Sequence, residues 1–153
     1  MLSRFFLITI TLFALAAEAN DLLEHFCALE GGDVVNELTC PKSKIPLPWK
    51  FCVFKNGQGD RLFFNGCTGP SGGHSALFYP ACIQHDHCYH HEPVSNGLSR
   101  RDCDERFLVQ LSERCELAAD QENCLFWART MFRAVRTGGF AAFNCAKYEA
   151  DYE

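Results

Sequence analysis

Residues 81–89 read Ala81-Cys82-Ile83-Gln84-His85-Asp86-His87-Cys88-Tyr89. On a helix, steps of three and four residues return to one face, so Cys82, His85, Asp86 and Tyr89 lie on one side. That side combines a proton acceptor, a carboxylate able to bind a cation, and a tyrosine, with cysteines at 82 and 88 available as anchors. A helix that must hold a water-activating site rigid has this composition. Pro80 suits a first-turn position, so the helix is expected from near Pro80 to about His91.

Upstream lies a glycine-rich loop, Asn65-Gly66-Cys67-Thr68-Gly69-Pro70-Ser71-Gly72-Gly73. Such a loop can turn backbone carbonyls inward, and hard cations such as Ca²⁺ take oxygen ligands. Asp86 and the loop are therefore expected to share a calcium ion, which would polarise a carbonyl and stabilise the oxyanion formed by attacking water. Downstream, Glu92 to Ser99 contains Pro93 and Asn96-Gly97 and reads as a loop. Asp102, with Glu105 three residues later, forms a capping-box-like pair at the head of a second helix.

In that second helix Asp104 is in phase with Phe107, Leu108, Leu111 and Cys115. An aspartate on an inward face is costly unless partnered, and the candidate partners are His85 and Tyr89. A carboxylate accepting the imidazole N–H fixes its tautomer and stabilises the cation formed when the other nitrogen takes a proton. The competing reading is an aspartate near a helix start, facing water. A third helix is expected from about Gln121 to Arg136, with Cys124, Trp127, Ala128, Met131 and Val135 in phase and Gly138-Gly139 as its stop.

Toward the N-terminus, Asp21 to Leu29 reads as a short helix with Leu22, Leu23 and Phe26 inward, stopped by Gly31-Gly32. Residues 40–54, with Pro41, Pro46 and Pro48 around Trp49, are expected to be irregular. Asn56-Gly57 and Gly59-Asp60 mark turns, and Arg61 to Phe64 a brief extended piece. Residues 1–19 have the form of a signal peptide: Arg4, an apolar run from Phe5 to Ala16, and Ala17-Glu18-Ala19 as the cleavage site. The run is shorter than the roughly 20 residues a membrane span needs. All ten cysteines follow it, which predicts disulfides made in an oxidising compartment and one secreted, extracellular domain over 20–153. The net charge of −5 speaks against a nucleic-acid partner and provides no general attraction to anionic lipid. Any lipid contact then relies on apolar side chains. Leu77, Phe78, Tyr79, Phe63, Phe64, Leu47 and Trp49 are the candidates, each also a candidate for the core.

The His85-Asp86-x-Cys88-Tyr89 run, with Cys82 three residues before the histidine and the glycine-rich loop upstream, resembles secreted phospholipase A2. Phe78-Tyr79-Pro80-Ala81-Cys82 and Cys103-Asp104-x-x-Phe107, with Cys115 and Cys124, resemble the microbial-like and conodipine-like branches. The likeness covers about Phe64 to Gly139. It implies a mainly α, disulfide-rich phospholipase A2-like fold, with two antiparallel helices carrying the site and a third, C-terminal helix. It further implies that His85 deprotonates water, Asp104 orients His85, Tyr89 hydrogen-bonds Asp104 and Asp86 ligates Ca²⁺. The bond cleaved would be the sn-2 ester of a glycerophospholipid at a membrane or micelle surface, releasing a fatty acid and a lysophospholipid. Such a base works neutral, so activity is expected to fall below roughly pH 6–7.

Family pairings imply Cys67–Cys82, Cys88–Cys103 and Cys115–Cys124, which leaves Cys27, Cys40, Cys52 and Cys145 with three possible connectivities. The calcium loop departs from the family patterns. Vertebrate-type carbonyl ligands map to Gly66, Thr68 and Pro70, whereas the microbial-type acidic ligand maps to Asn65, followed by the Gly66 carbonyl. Asparagine offers an oxygen without charge, which weakens calcium binding. Three other readings compete. His85, His87, His90 and His91 could bind zinc. The chain could be a non-catalytic phospholipase-like toxin or receptor-binding protein. Arg100-Arg101, placed in the loop before Asp102, is either two exposed arginines or a dibasic processing site yielding two disulfide-linked chains, as the conodipine-like resemblance implies.

Overall fold

The computed structural model describes residues 21–40, 44, 46–91, 97–143 and 145. The signal-like leader up to Ala19, and residues 92–96 of the Glu92–Ser99 loop, lie outside the described residues. Residues 21–29 form α1, which buries Leu23 and packs Leu22 and Phe26 against the core. Gly31 ends it at φ +67°, where a glycine pays no Cβ penalty, and the Gly32 N–H returns to the Cys27 carbonyl at 3.0 Å.

Five short strands follow: β1 (Asp33–Val35), β2 (Leu38–Thr39), β3 (Pro46–Leu47), β4 (Phe51–Lys55) and β5 (Arg61–Phe64). β1, β4 and β5 form an antiparallel sheet with β4 in the centre, and β2 pairs with β3. Residues 40–54 are thus not irregular throughout. The prolines stop at Pro48, and Phe51-Cys52-Val53-Phe54 is aromatic and β-branched, the composition of a half-buried strand. What makes it one is its partner across the turn. Asn56 Oδ1 accepts the backbone N–H groups of Gln58 and Asp60 at 3.0 and 2.8 Å, closing a hairpin in which Val53 faces Phe63. Pro46 sits in a two-stranded ribbon, where a missing N–H is tolerated.

Three long helices follow among the described residues: α2 (Ser75–His90), α3 (Arg100–Cys115) and α4 (Gln121–Gly138), with a 3₁₀ turn over Gly139–Ala141. α2 starts five residues before Pro80, which lies inside it. The proline removes one intrahelical bond, a loss offset by the burial of Phe78 and Tyr79 on the preceding turn. The cap of α3 is Ser99 rather than Asp102: the Ser99 hydroxyl accepts the Asp102 N–H and Asp102 returns to the Ser99 N–H, a reciprocal box. Arg100 and Arg101 consequently occupy the first turn of α3, not a loop. α4 is capped by Asp120 and runs two residues past Arg136.

The disulfides include Cys67–Cys82, Cys88–Cys103 and Cys115–Cys124; the remaining pairs are Cys27–Cys52 and Cys40–Cys145. Contacts run from Cys88–Cys103 through His85–Asp104 to Gln84–Gln110, so α2 and α3 are antiparallel. The main core gathers Phe54, Phe64, Phe78, Phe107, Leu111 and Met131 between sheet and helices. This is a mainly helical, disulfide-rich fold. Among the described residues no helix is long and apolar enough to cross a membrane.

Candidate active site

α2 and α3 face each other through His85 and Asp104. The His85 Nε2 lies 2.9 Å from Asp104 Oδ1, with His85 6% exposed and Asp104 fully enclosed. A carboxylate only accepts, so Nε2 carries the proton and Nδ1 keeps its lone pair. Tyr89, one turn along α2, donates its hydroxyl to the same oxygen at 2.5 Å. The imidazole is sandwiched between Tyr89 and Phe107, with ring centroids at 4.1 and 4.4 Å. These are the side chains that the 85–89 and 104–107 spacings bring together.

Two further groups on Asp104 were not anticipated. Arg136 Nη1 donates to Asp104 Oδ2 at 2.6 Å, and Arg100 Nη1 lies 4.0 Å from that oxygen. Arg100 sits four residues before Asp104, a helical spacing visible in the sequence. Arg136 reaches it only because α4 docks on α3. Burial pushes the Asp104 carboxyl up, but bonds from His85, Tyr89 and Arg136 outweigh it and hold the group below the usual carboxylate range. Burial also pulls His85 below the ordinary imidazole value, against the opposing pull of Asp104. Tyr89 is pushed up by burial and then by Asp104.

Asp86, about 100° around α2 from His85, turns to the glycine-rich loop. Its Oδ2 accepts the N–H groups of Asn65 and Gly66 at 2.9 and 2.7 Å. Gly66 has φ +70°, and a Cβ there would sit 2.5 Å from the Tyr79 ring and hydroxyl beneath it, so only glycine fits. Burial raises the Asp86 carboxyl to about 7 despite those two backbone bonds. Among the described residues no ion pair neutralises it, and no three His, Cys, Asp or Glu side chains gather into a metal cluster. Asn65, Gly66 and Thr68 line the same cavity and carry side-chain or backbone oxygens, beside the imidazoles of His85 and His90. One carboxylate with neutral oxygens on its neighbours is a donor set better suited to a hard cation than to zinc.

His85, Asp86, Asn65, Gly66 and Thr68 line one cavity of about 230 Å³, walled otherwise by Leu47, Trp49, Met131 and Val135 among apolar groups. Pro70 is exposed and is not among the lining residues. The histidine cluster does not converge. His91 Nε2 accepts the Phe63 N–H at 3.2 Å, and His90 packs on Phe63 with centroids 4.5 Å apart. The proposed apolar rim is also largely interior: Phe63, Phe64, Phe78, Tyr79 and Leu47 are buried, and Leu77 packs partly on the core. Trp49, 47% exposed, stands at the cavity edge.

No family model and no solved structure matches the chain. Over 62 residues, 39% of this chain, it is 37% identical to conodipine-P2, and equally to conodipine-P1 and conodipine-P3, all of Conus purpurascens. The match spans 34% of the length of these relatives. The buried His85–Asp104 pair therefore belongs to a chain with a distant, partial similarity to the conodipines.

Proposed function

We propose that this protein is a secreted, calcium-dependent phospholipase A2 that hydrolyses the sn-2 ester of glycerophospholipids. The observation that carries the reading is the enclosed His85–Asp104 pair, 2.9 Å apart, opening on an apolar-walled cavity that Asp86 also borders. Similarity to the conodipines over part of the chain supports it, as do five disulfides for an oxidising compartment.

His85 Nδ1 takes a proton from water as the water oxygen attacks the ester carbonyl carbon. Asp104 holds the ring by its Nε2–H and faces the cation that forms, while Tyr89 fixes Asp104. The same histidine then returns the proton to the departing glycerol oxygen, leaving a fatty acid and a lysophospholipid. Asp86 with oxygens of Asn65, Gly66 and Thr68 would hold Ca²⁺, which when bound supplies Lewis-acid polarisation of the carbonyl. Leu47, Met131 and Val135 offer the acyl chain a dry wall, and Trp49 a lipid-facing contact. Processing to two chains would cut beside Arg101 in the first turn of α3, and Cys88–Cys103 would keep the pieces joined.

The test is release of a labelled sn-2 chain from phosphatidylcholine micelles, with and without Ca²⁺, by wild type and His85→Gln. Hydrolysis that needs both calcium and the histidine is expected. A folded wild type that releases nothing would instead favour a non-catalytic, phospholipase-like binding protein.

A further inference from the structure

Asp104 is held from two sides by different elements. Its Oδ1 accepts from His85 and Tyr89 of α2, and its Oδ2 accepts from Arg136 in the last turn of α4. A carboxylate gripped at one oxygen can turn about its terminal torsion, which is soft. Gripped at both, it cannot turn without breaking a charge-assisted bond. Arg100 supports this from the head of α3, donating to the carbonyls of Val135 and Arg136 at 3.1 and 3.0 Å. It thereby fixes the end of α4 from which Arg136 reaches. Holding α3 to α4 is already served elsewhere, by the Cys115–Cys124 bridge at the opposite end and by Leu111, Ala128 and Met131 in the core.

We propose that Arg136 is a positioning residue for the His85–Asp104 dyad: it fixes the plane of the Asp104 carboxylate from the oxygen His85 does not use, and Arg100 secures the helix end that presents it. The kinetic consequence rests on the phospholipase reading; the geometric consequence does not.

Arg136→Gln and Arg136→Lys are compared in wild-type and Asp104→Asn backgrounds on phosphatidylcholine micelles with Ca²⁺. The His85 ring N–H proton is followed by NMR in the same proteins. In Arg136→Gln, kcat is expected to fall roughly ten- to a hundredfold, the range typical of groups that orient a functional ligand, while KM stays near wild type. Lysine should restore most of the rate. In the Asp104→Asn background the Gln substitution should add no further loss. The hydrogen-bonded ring proton should be sharp in wild type and Arg136→Lys and broadened in Arg136→Gln. A wild-type kcat in Arg136→Gln, or a full additional loss in the Asp104→Asn background, overturns the proposal. If wild type hydrolyses nothing, the phospholipase reading fails separately and the resonance decides: unchanged in Arg136→Gln overturns positioning, lost and regained with lysine supports it. Should Arg136→Gln fail to fold by circular dichroism, Arg136→Met, which keeps the aliphatic stem, carries the test through the same resonance, where broadening supports the proposal and an unchanged signal overturns it.

Discussion

His85 and Asp86 are neighbours in sequence that meet different partners, because adjacent helical positions point about 100° apart. One faces the carboxylate of α3 and the other the loop before α2. Their protonation is set by that difference. Burial lowers His85, so its neutral, proton-accepting form persists to more acidic conditions than an open imidazole allows. With saturating Ca²⁺, the acid limb of the kcat profile is expected to have its midpoint below pH 6.5, a lower limit than the sequence alone implied; a midpoint above 6.5 contradicts this. Asp86 runs the other way, raised to about 7 by burial, so protons compete with the cation there. The Ca²⁺ concentration giving half-maximal activity should therefore rise as pH falls through about 7, measured at fixed substrate. Side-chain phase put Asp104 in register with Phe107 and Leu111 and offered His85 and Tyr89 as its partners, with a water-facing aspartate as the alternative; the structure decides for the inward pairing. Arg136 was not legible, because nothing in its own helix says which helix it will lie against.

At the level of elements, boundaries depended on caps more than on periodicity. Ser99, not Asp102, opens α3, and the box it forms with Asp102 holds the turn that carries Arg100 and Arg101. Ser99→Ala removes the side-chain acceptor and is expected to cost about 1 kcal/mol, the usual value of a lost N-cap, read as a lower denaturant midpoint at unchanged slope. The same substitution should speed cleavage beside Arg101 by a trypsin-like protease, since a frayed first turn is easier to cut. Equal cleavage rates would mean that the cap does not guard this bond. β4 was missed for the converse reason. Its prolines end before Phe51 and its composition suits a strand, but its place in the centre of the sheet comes from pairing with β1 as well as with its hairpin partner β5, and the β1 pairing is not local.

Across the whole molecule, the disulfides and the buried histidines each add a separately testable contribution to stability. Cys40–Cys145 spans 105 residues and Cys115–Cys124 only 9. In the chain-entropy view the longer loop restrains the unfolded state more, by about 2 kcal/mol. Replacing both cysteines of the first pair by serine should lower the melting temperature more than the same change in the second. Burial lowers His87, His90 and His91, the last to about 4. Below 6.5 the unfolded chain protonates these histidines before the folded one does, so their contribution to stability is complete above about pH 6.5 and is lost as pH falls, opposed in part by Asp86, whose raised carboxyl takes its proton first in the folded chain. Urea unfolding at several pH values checks this, and a flat stability between 6.5 and 4.5 would refute it.

The sequence by itself determined the candidate partners of Asp104, the existence of the helices and most of their ends, and that the cysteines are paired. These follow from helical phase and composition, which are local. The tertiary structure alone decided the Cys27–Cys52 and Cys40–Cys145 pairing, the central position of β4, the burial of the aromatic residues once eligible for the rim, and the grip of Arg136 on Asp104. Each of these depends on which distant surfaces exclude water against one another, and a one-dimensional pattern does not carry that choice.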